Sequence, residues 1–329
     1  MSDAPVPGVT AITYHAWNAD RTQLAISPNS NEVHIYAASG PDSSKWEKKF
    51  VLDEHSGQVS GIDWCPTTNL IVTCGHDRNA YVWKFDESAQ QWKPTLVILR
   101  INRAATAVKW SPAGNKFAVA SGAKCVPVCQ FDEQANWWIS KMIKKHKSTV
   151  LSVAWCVNNK FLVTGSADMK CRIFSAYIDG LDPAEDDGFG EVFPKQHEFG
   201  EVLAEFDQAK AWVHAVAWAP GGFRLAFASH ASTLHFVQLL AGSQPVVQSA
   251  NCRDLPYLDC HFLSDSALVA AGWEANIDVW TVSGGTDAEP SGRSRTKWTR
   301  RPPRGLRARR RHRRSVGRSR ARAACSSRR

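Results

Sequence analysis

One short phrase recurs along the chain, and its spacing limits the possible folds more than any other feature. Apolar residues at alternate positions close on an aromatic ring. The phrase reads "ITYHAW" at Trp17, "VSGIDW" at Trp64, "ATAVKW" at Trp110, "VLSVAW" at Trp155, "VHAVAW" at Trp218 and "LDCHF" at Phe262. The steps are 47, 46, 45, 63 and 44 residues, so only the fourth is long, by about one loop. A second alternating run follows each phrase ("LIVTCG", "KFAVAS", "FLVTGS"), then a third ("NAYVW", "KCRIF", "NIDVW"). Turn text such as "SPNSN", "CPTTN" and "APGG" lies between the runs. Period-two alternation cut by turns is antiparallel strand text. No segment before residue 289 keeps a helical period.

A repeat in the mid-forties with three visible strands and room for a fourth predicts an all-β, WD40-type β-propeller. Six repeats are visible. The inner strands read as almost continuously apolar because a blade is covered on both faces, and the aromatics at Trp17, Trp64, Trp110, Trp155 and Trp218 are expected between blades. The expected boundaries are a propeller over 1–285 with an incomplete last blade, and an Arg-rich, disordered tail over 286–329.

Charge divides at nearly the same place. Residues 290–329 hold 16 Arg and one Lys and no acid, while residues 1–289 hold 23 basic and 31 acidic residues, a formal −8. Such a tail cannot bury a core. Two readings stay open for it: a basic arm for nucleic acid or acidic partners, or GC-rich coding DNA read out of frame, the abrupt change of text favouring the second. The first ten residues lack a secretory signal pattern, and no apolar run is long enough for a membrane span. Nine cysteines at no repeated short spacing read as buried thiols of a cytosolic protein. Cys125 and Cys129 lack the partners of a zinc site. No metal or cofactor is expected. The acidic stretch 179–188 reads as a solvated loop without calcium-loop register.

"TCGHDRNAYVWKF" sets His76 beside Asp77 and suggests a catalytic dyad. The repeat argues otherwise. His55 precedes Asp77 by 22 residues, Thr73 precedes it by four, and Trp83 follows it by six; His146, Thr164, Asp168 and Phe174 repeat that spacing. A set built twice in register with the fold reads as structural: in WD repeats the turn Asp binds the His, the His binds the Thr, and the Thr binds the Trp indole. Phe174 has no N–H to give, so the second set is one bond short. No nucleophile or nucleotide motif accompanies either set, and no enzyme activity is expected.

Several stretches exceed what a generic blade requires. "GIDWCPTTNLIVTCGHDRNAYVW" (61–83), "WKPTLVILRINRAATAVKWSPAGNKFAVASGAK" (92–124) and "WWISKMIKKHKSTVLSVAW" (137–155) closely resemble subunit 1 of the actin-related protein 2/3 complex. The resemblance runs over about residues 11–282. It implies a seven-bladed, non-catalytic scaffold in the cytoplasm and cytoskeleton, helping to nucleate branched actin filaments. The partners implied are actin-related proteins, smaller subunits, actin filaments and nucleation-promoting factors, with no membrane. Arg78, Asn79, Arg100, Asn102, Arg103 and Trp137 are the interface candidates, the first five from loops expected near a wheel face. Trp137 and Trp138 are adjacent, so one faces out. The family's seventh repeat has no counterpart here, which predicts an open or strained wheel with an exposed blade edge.

Overall fold

A computed structural model describes residues 9, 11–38, 46–183, 188–193, 197–252, 254–283 and 297–301. These form six four-stranded antiparallel sheets, with no helix among the described residues. Sheet one holds β1 (Tyr14–Trp17), β2 (Gln23–Ser27), β3 (Val33–Ala38) and β4 (Trp46–Leu52). Sheet two holds β5 (Val59–Trp64), β6 (Ile71–Gly75), β7 (Asn79–Asp86) and β8 (Gln91–Ile98). Sheet three holds β9 (Ala105–Trp110), β10 (Lys116–Ser121), β11 (Val126–Asp132) and β12 (Trp137–Ile143). Sheet four holds β13 (Val150–Trp155), β14 (Phe161–Ser166), β15 (Cys171–Ser175) and β16 (Val202–Phe206). Sheet five holds β17 (Val213–Trp218), β18 (Arg224–Ser229), β19 (Thr233–Gln238) and β20 (Val246–Asn251). Sheet six holds β21 (Tyr257–Ser264), β22 (Ala267–Gly272), β23 (Ile277–Ser283) and β24 (Lys297–Arg301).

Each sheet packs its first strand on the first strand of the next: β1 on β5, β5 on β9, β9 on β13, β13 on β17 and β17 on β21. The repeated aromatics fill the joints. Trp64 lies with Ala25 and Ile35 between sheets one and two. Trp110 lies with Val72 and Val82 between two and three. Trp155 lies with Ala118 and Val126, Trp218 with Val163 and Ile173, and Phe262 with Ala226 and Phe236. Burying a side chain of this size stabilises the fold by roughly 1.5–3 kcal/mol. Trp17 departs from the expectation. It is 40% exposed, against 4–8% for its four tryptophan counterparts, because sheet one has no preceding sheet stacked on it in the same way. Among the described residues no comparable packing joins β21 to β1.

The first strands of sheets one and three nevertheless meet. The Tyr14 hydroxyl of β1 donates to the Thr106 carbonyl of β9 at 3.4 Å. Burial raises the Tyr14 pKa, and Cys74 of β6 and Asp259 of β21 add to the shift. Lys109 of β9 is held up mainly by Asp63 and, against burial, by Asp259.

The expected boundary at residue 285 runs through sheet six. Its outer strand, β24, lies within the stretch read as tail, and Trp298 is 7% exposed there. The rest of that tail, 302–329, lies outside the described residues. The acidic stretch also needs correction: Asp182 is buried, with a carboxylate that takes an ion pair from buried Lys116 of β10. No disulfide joins the eight described cysteines, and no helix of the described residues could cross a membrane.

Candidate partner-binding face

In an up-and-down four-stranded sheet, the turn from second to third strand lies at the same end of the wheel as the loop that opens that sheet and the loop that opens the next. Backbone bonds tie them together: His76 N–H donates to the Gln58 carbonyl and Ala167 N–H to the Thr149 carbonyl, both at 2.8 Å. His76 is thus an exposed turn residue.

The polar sets lie beneath this end. His55 Nδ1 meets Asp77 Oδ2 at 2.8 Å and His55 Nε2 meets Thr73 Oγ1 at 2.8 Å, while Trp83 Nε1 donates to Thr73 Oγ1 at 2.9 Å. Asp77 also accepts the N–H groups of Ser56 and Asn79, both at 3.1 Å. Burial acts to raise the Asp77 carboxyl, but these bonds outweigh it and hold the group below the usual range. An acid so deeply satisfied locks a turn and has no proton-transfer partner outside the fold. Gly75 sits against this set; a Cβ there would lie 3.0 Å from both the Gln58 carbonyl oxygen and His55 Nδ1.

The second set is assembled differently. His146 Nε2 meets Thr164 Oγ1 at 2.9 Å, but its buried Nδ1 has no partner. Asp168 pairs instead with Arg172, Nη1 to Oδ2 at 2.9 Å, and accepts Lys147 N–H at 2.8 Å. The register explains the difference. Arg172 stands opposite Thr164, where sheet two has Tyr81 opposite Thr73, and the guanidinium captures the acid. Phe174 contributes only its ring, 5.1 Å from His146. The second set is therefore two bonds short.

This arrangement fixes a pH dependence. Burial, with Arg172 adding to it and Asp168 opposing, lowers the His146 pKa to about 4; burial alone lowers His235 of β19 to about 4. Unfolded histidines titrate near 6.5, so between about pH 6.5 and 4 the unfolded chain binds the extra protons. Stability present above pH 6.5 is therefore lost on acidification through that window, on the order of 2 kcal/mol for each histidine by pH 4.5. Urea midpoints measured from pH 7 to 4.5 are expected to fall steadily, and His235→Gln is expected to flatten the slope. Asp77 and Asp168, both depressed, act only below that window.

The candidate residues divide by position. Arg78 (φ 70°) sits in the turn after Asp77, and Arg100 (φ 55°), Asn102 and Arg103 lie in the loop opening sheet three, all exposed. Asn79 is half-buried at the start of β7. Arg103 packs against Gly122, whose missing Cβ would lie 3.2 Å from it. Trp137 does not join them. It begins β12, the outer strand, after a turn at the opposite end, and is exposed, while Trp138 packs on Trp110 and Phe117.

Sequence reasoning missed four further cations at the arginine end. Lys124 occupies the second-to-third turn of sheet three, and Lys144, Lys145 and Lys147 bracket His146 in the loop that opens sheet four; all are exposed. The run "KKHK" was the available signal. The turn acids Asp77 and Asp168 are engaged internally, so sheets two to four present a basic sector bordered by exposed Asp53 and Glu54. The same end turns apolar beyond it, with Met169, Trp212, Leu255 and Trp273 each about half exposed.

A family model for the WD domain, G-beta repeat, matches residues 46–84 and 137–175. Each match begins on an outer strand and runs through three strands of the next sheet, so the sequence repeat straddles two sheets; the two matches contain the two histidine sets. Among similar proteins, actin-related protein 2/3 complex subunit 1B of Arabidopsis thaliana is 46% identical over 273 residues, covering 83% of this chain and 70% of that protein. Subunit 1A-B of Xenopus laevis is 50% identical over 266 residues, 79% of this chain and 69% of that protein. Subunit 1 of Schizosaccharomyces pombe is 37% identical over 295 residues, 87% and 75%.

Proposed function

Because the chain belongs to the actin-related protein 2/3 complex subunit 1 family, we propose that it acts as a non-catalytic propeller subunit, holding other subunits of a hetero-oligomeric complex in place for branched actin nucleation. One observation supports the reading most: a wheel of packed sheets whose basic sector, Arg78, Arg100, Arg103 and the "KKHK" lysines, has its turn acids Asp77 and Asp168 tied up internally. Charges fixed on short loops over packed sheets suit docking to acidic partner surfaces, setting encounter rate and register. Actin-related proteins and the smaller subunits are the partners this reading names, with actin filaments and nucleation-promoting factors beyond them, and its setting is the cytoplasm and the cytoskeleton. A nucleic-acid arm has only the composition of the tail in its favour.

Affinity purification of the full chain is expected to recover actin-related proteins. The double variant Arg100→Glu, Arg103→Glu, both exposed, is expected to fold normally and bind about tenfold more weakly, about 1.4 kcal/mol. A chain that never co-fractionates with actin-related proteins would overturn the proposal.

A further inference from the structure

The propeller repeats a small irregularity at one end of sheets two to six. One extra residue enters the first strand, a β-bulge, beside the residue that follows the second strand. In sheet two the pair is Ser60 and His76, in sheet three Thr106 and Gly122, in sheet four Leu151 and Ala167, and in sheet six Leu258 and Trp273. In sheet five the pair is His214 and His230. A bulge re-aims a side chain out of the alternation, and the backbone bond from His230 N–H to the Trp212 carbonyl at 2.8 Å fixes the second position. His214 Nε2 and His230 Nδ1 consequently stand 2.8 Å apart, with ring centroids 4.9 Å apart and planes inclined at 64°. His214 is half-buried and His230 exposed, so the cleft between them is open to solvent.

We infer that these two nitrogens form a site for a borderline divalent transition-metal ion, with copper(II) favoured and water in the remaining positions. Neutral imidazole is a good ligand for copper, nickel and zinc. Two cis ligands of a tetragonal ion with bonds of about 2.0 Å lie about 2.8 Å apart, whereas a tetrahedral zinc needs about 3.3 Å. Both nitrogens leave this hydrogen-bond geometry when they bind one ion, so the choice of metal rests on ligand preference, and the Irving–Williams order places copper first. The rings must swivel so that both lone pairs converge beside the line joining them; the exposed His230 ring has room to do so. No net proton is lost on binding: whichever imidazole donates in the present contact moves its proton through solvent to its other ring nitrogen. No third His, Cys, Asp or Glu joins the pair among the described residues, so the site is a weak one.

Trp212 supplies a reporter, its ring 5.8 Å from His230 and 54% exposed. Titrating the full chain with copper(II) chloride or nickel(II) chloride at pH 7 is expected to give saturable quenching of tryptophan fluorescence. His230→Gln and His214→Gln are each expected to require at least tenfold more metal while melting as the parent does. Copper(II) electron paramagnetic resonance is expected to carry the splitting of two imidazole nitrogens, lost in either variant. Superimposable titrations and unchanged splitting in His230→Gln, the exposed and structurally harmless change, would overturn the assignment. This inference does not depend on the scaffold reading, and failure of one leaves the other intact.

Discussion

Replacing Lys116 with alanine is expected to cost about 3–5 kcal/mol of folding free energy, the range found when one partner of a buried ion pair is removed. The ammonium has no solvent contact. It donates to the Asp182 carboxylate and to the Ala176 carbonyl at 2.9 Å, and lies 5.3 Å from the centre of the Trp155 ring. Burial draws its pKa down to about 8 against the opposing pull of Asp182. Asp182 is held in turn by Asn159 Nδ2 at 2.7 Å and Ile178 N–H at 2.8 Å. Alanine would leave that carboxylate buried with two neutral donors and no counter-charge. The pair joins sheet three to the loop between β15 and β16 of sheet four, so the loss is expected to show locally as well: faster proteolysis within 176–183 beside a lowered urea midpoint. Lys116→Met with Asp182→Leu is expected to recover most of the loss, because two apolar side chains of similar size remove the desolvation problem altogether. A double variant no more stable than Lys116→Ala would show that the ion pair itself, and not the stranded acid, sets the cost.

Asp182 also marks where sequence reading stops. The strand alternation and the spacing of Trp64, Trp110, Trp155 and Trp218 were legible, because period-two patterning and a constant repeat are local properties. The contact of residue 116 with residue 182 was not, since nothing in the acidic run separates buried Asp182 from exposed Asp179. The same limit applied at Asp168. Its spacing to His146 matches that of Asp77 to His55, yet the partner is chosen by the residue opposite Thr164, which is Arg172. Cross-strand register, not spacing along the chain, decides such competitions. At the candidate face, Arg100 and Arg103 were legible as loop residues, whereas Trp137 could be set apart from them only once the direction of β12 was known. Trp17 misled because its letters match its counterparts; its exposure depends on a neighbouring sheet that its own phrase does not encode.

The outer strand of sheet six carries the second large effect. Trp298→Ala is expected to destabilise the fold by about 3–5 kcal/mol, as for other buried large aromatics. Composition alone assigns this stretch to a repelling, solvated tail, and 297–301 contributes three of that tail's charges. The tertiary setting overrides composition. Trp298 stacks on Phe236 of sheet five at 4.3 Å with planes 4° apart, and meets Phe262 edge-on at 6.0 Å. Two residues on, Arg300 Nη2 pairs with Asp278 Oδ2 at 2.7 Å, the carboxylate that also accepts the Tyr257 hydroxyl at 2.6 Å, and Nη1 pairs with Asp254. An aromatic anchor and a paired arginine two residues apart share one face of a strand, so β24 covers the edge of β23 and satisfies an acid otherwise short of a cation. The discriminating measurement is a pair of truncations. Ending the chain after residue 301 is expected to leave the urea midpoint unchanged, whereas ending it after residue 285 is expected to lower it at least as far as Trp298→Ala does. Equal midpoints for the two truncations would mean that the wheel is held by 23 strands and that the last one is dispensable.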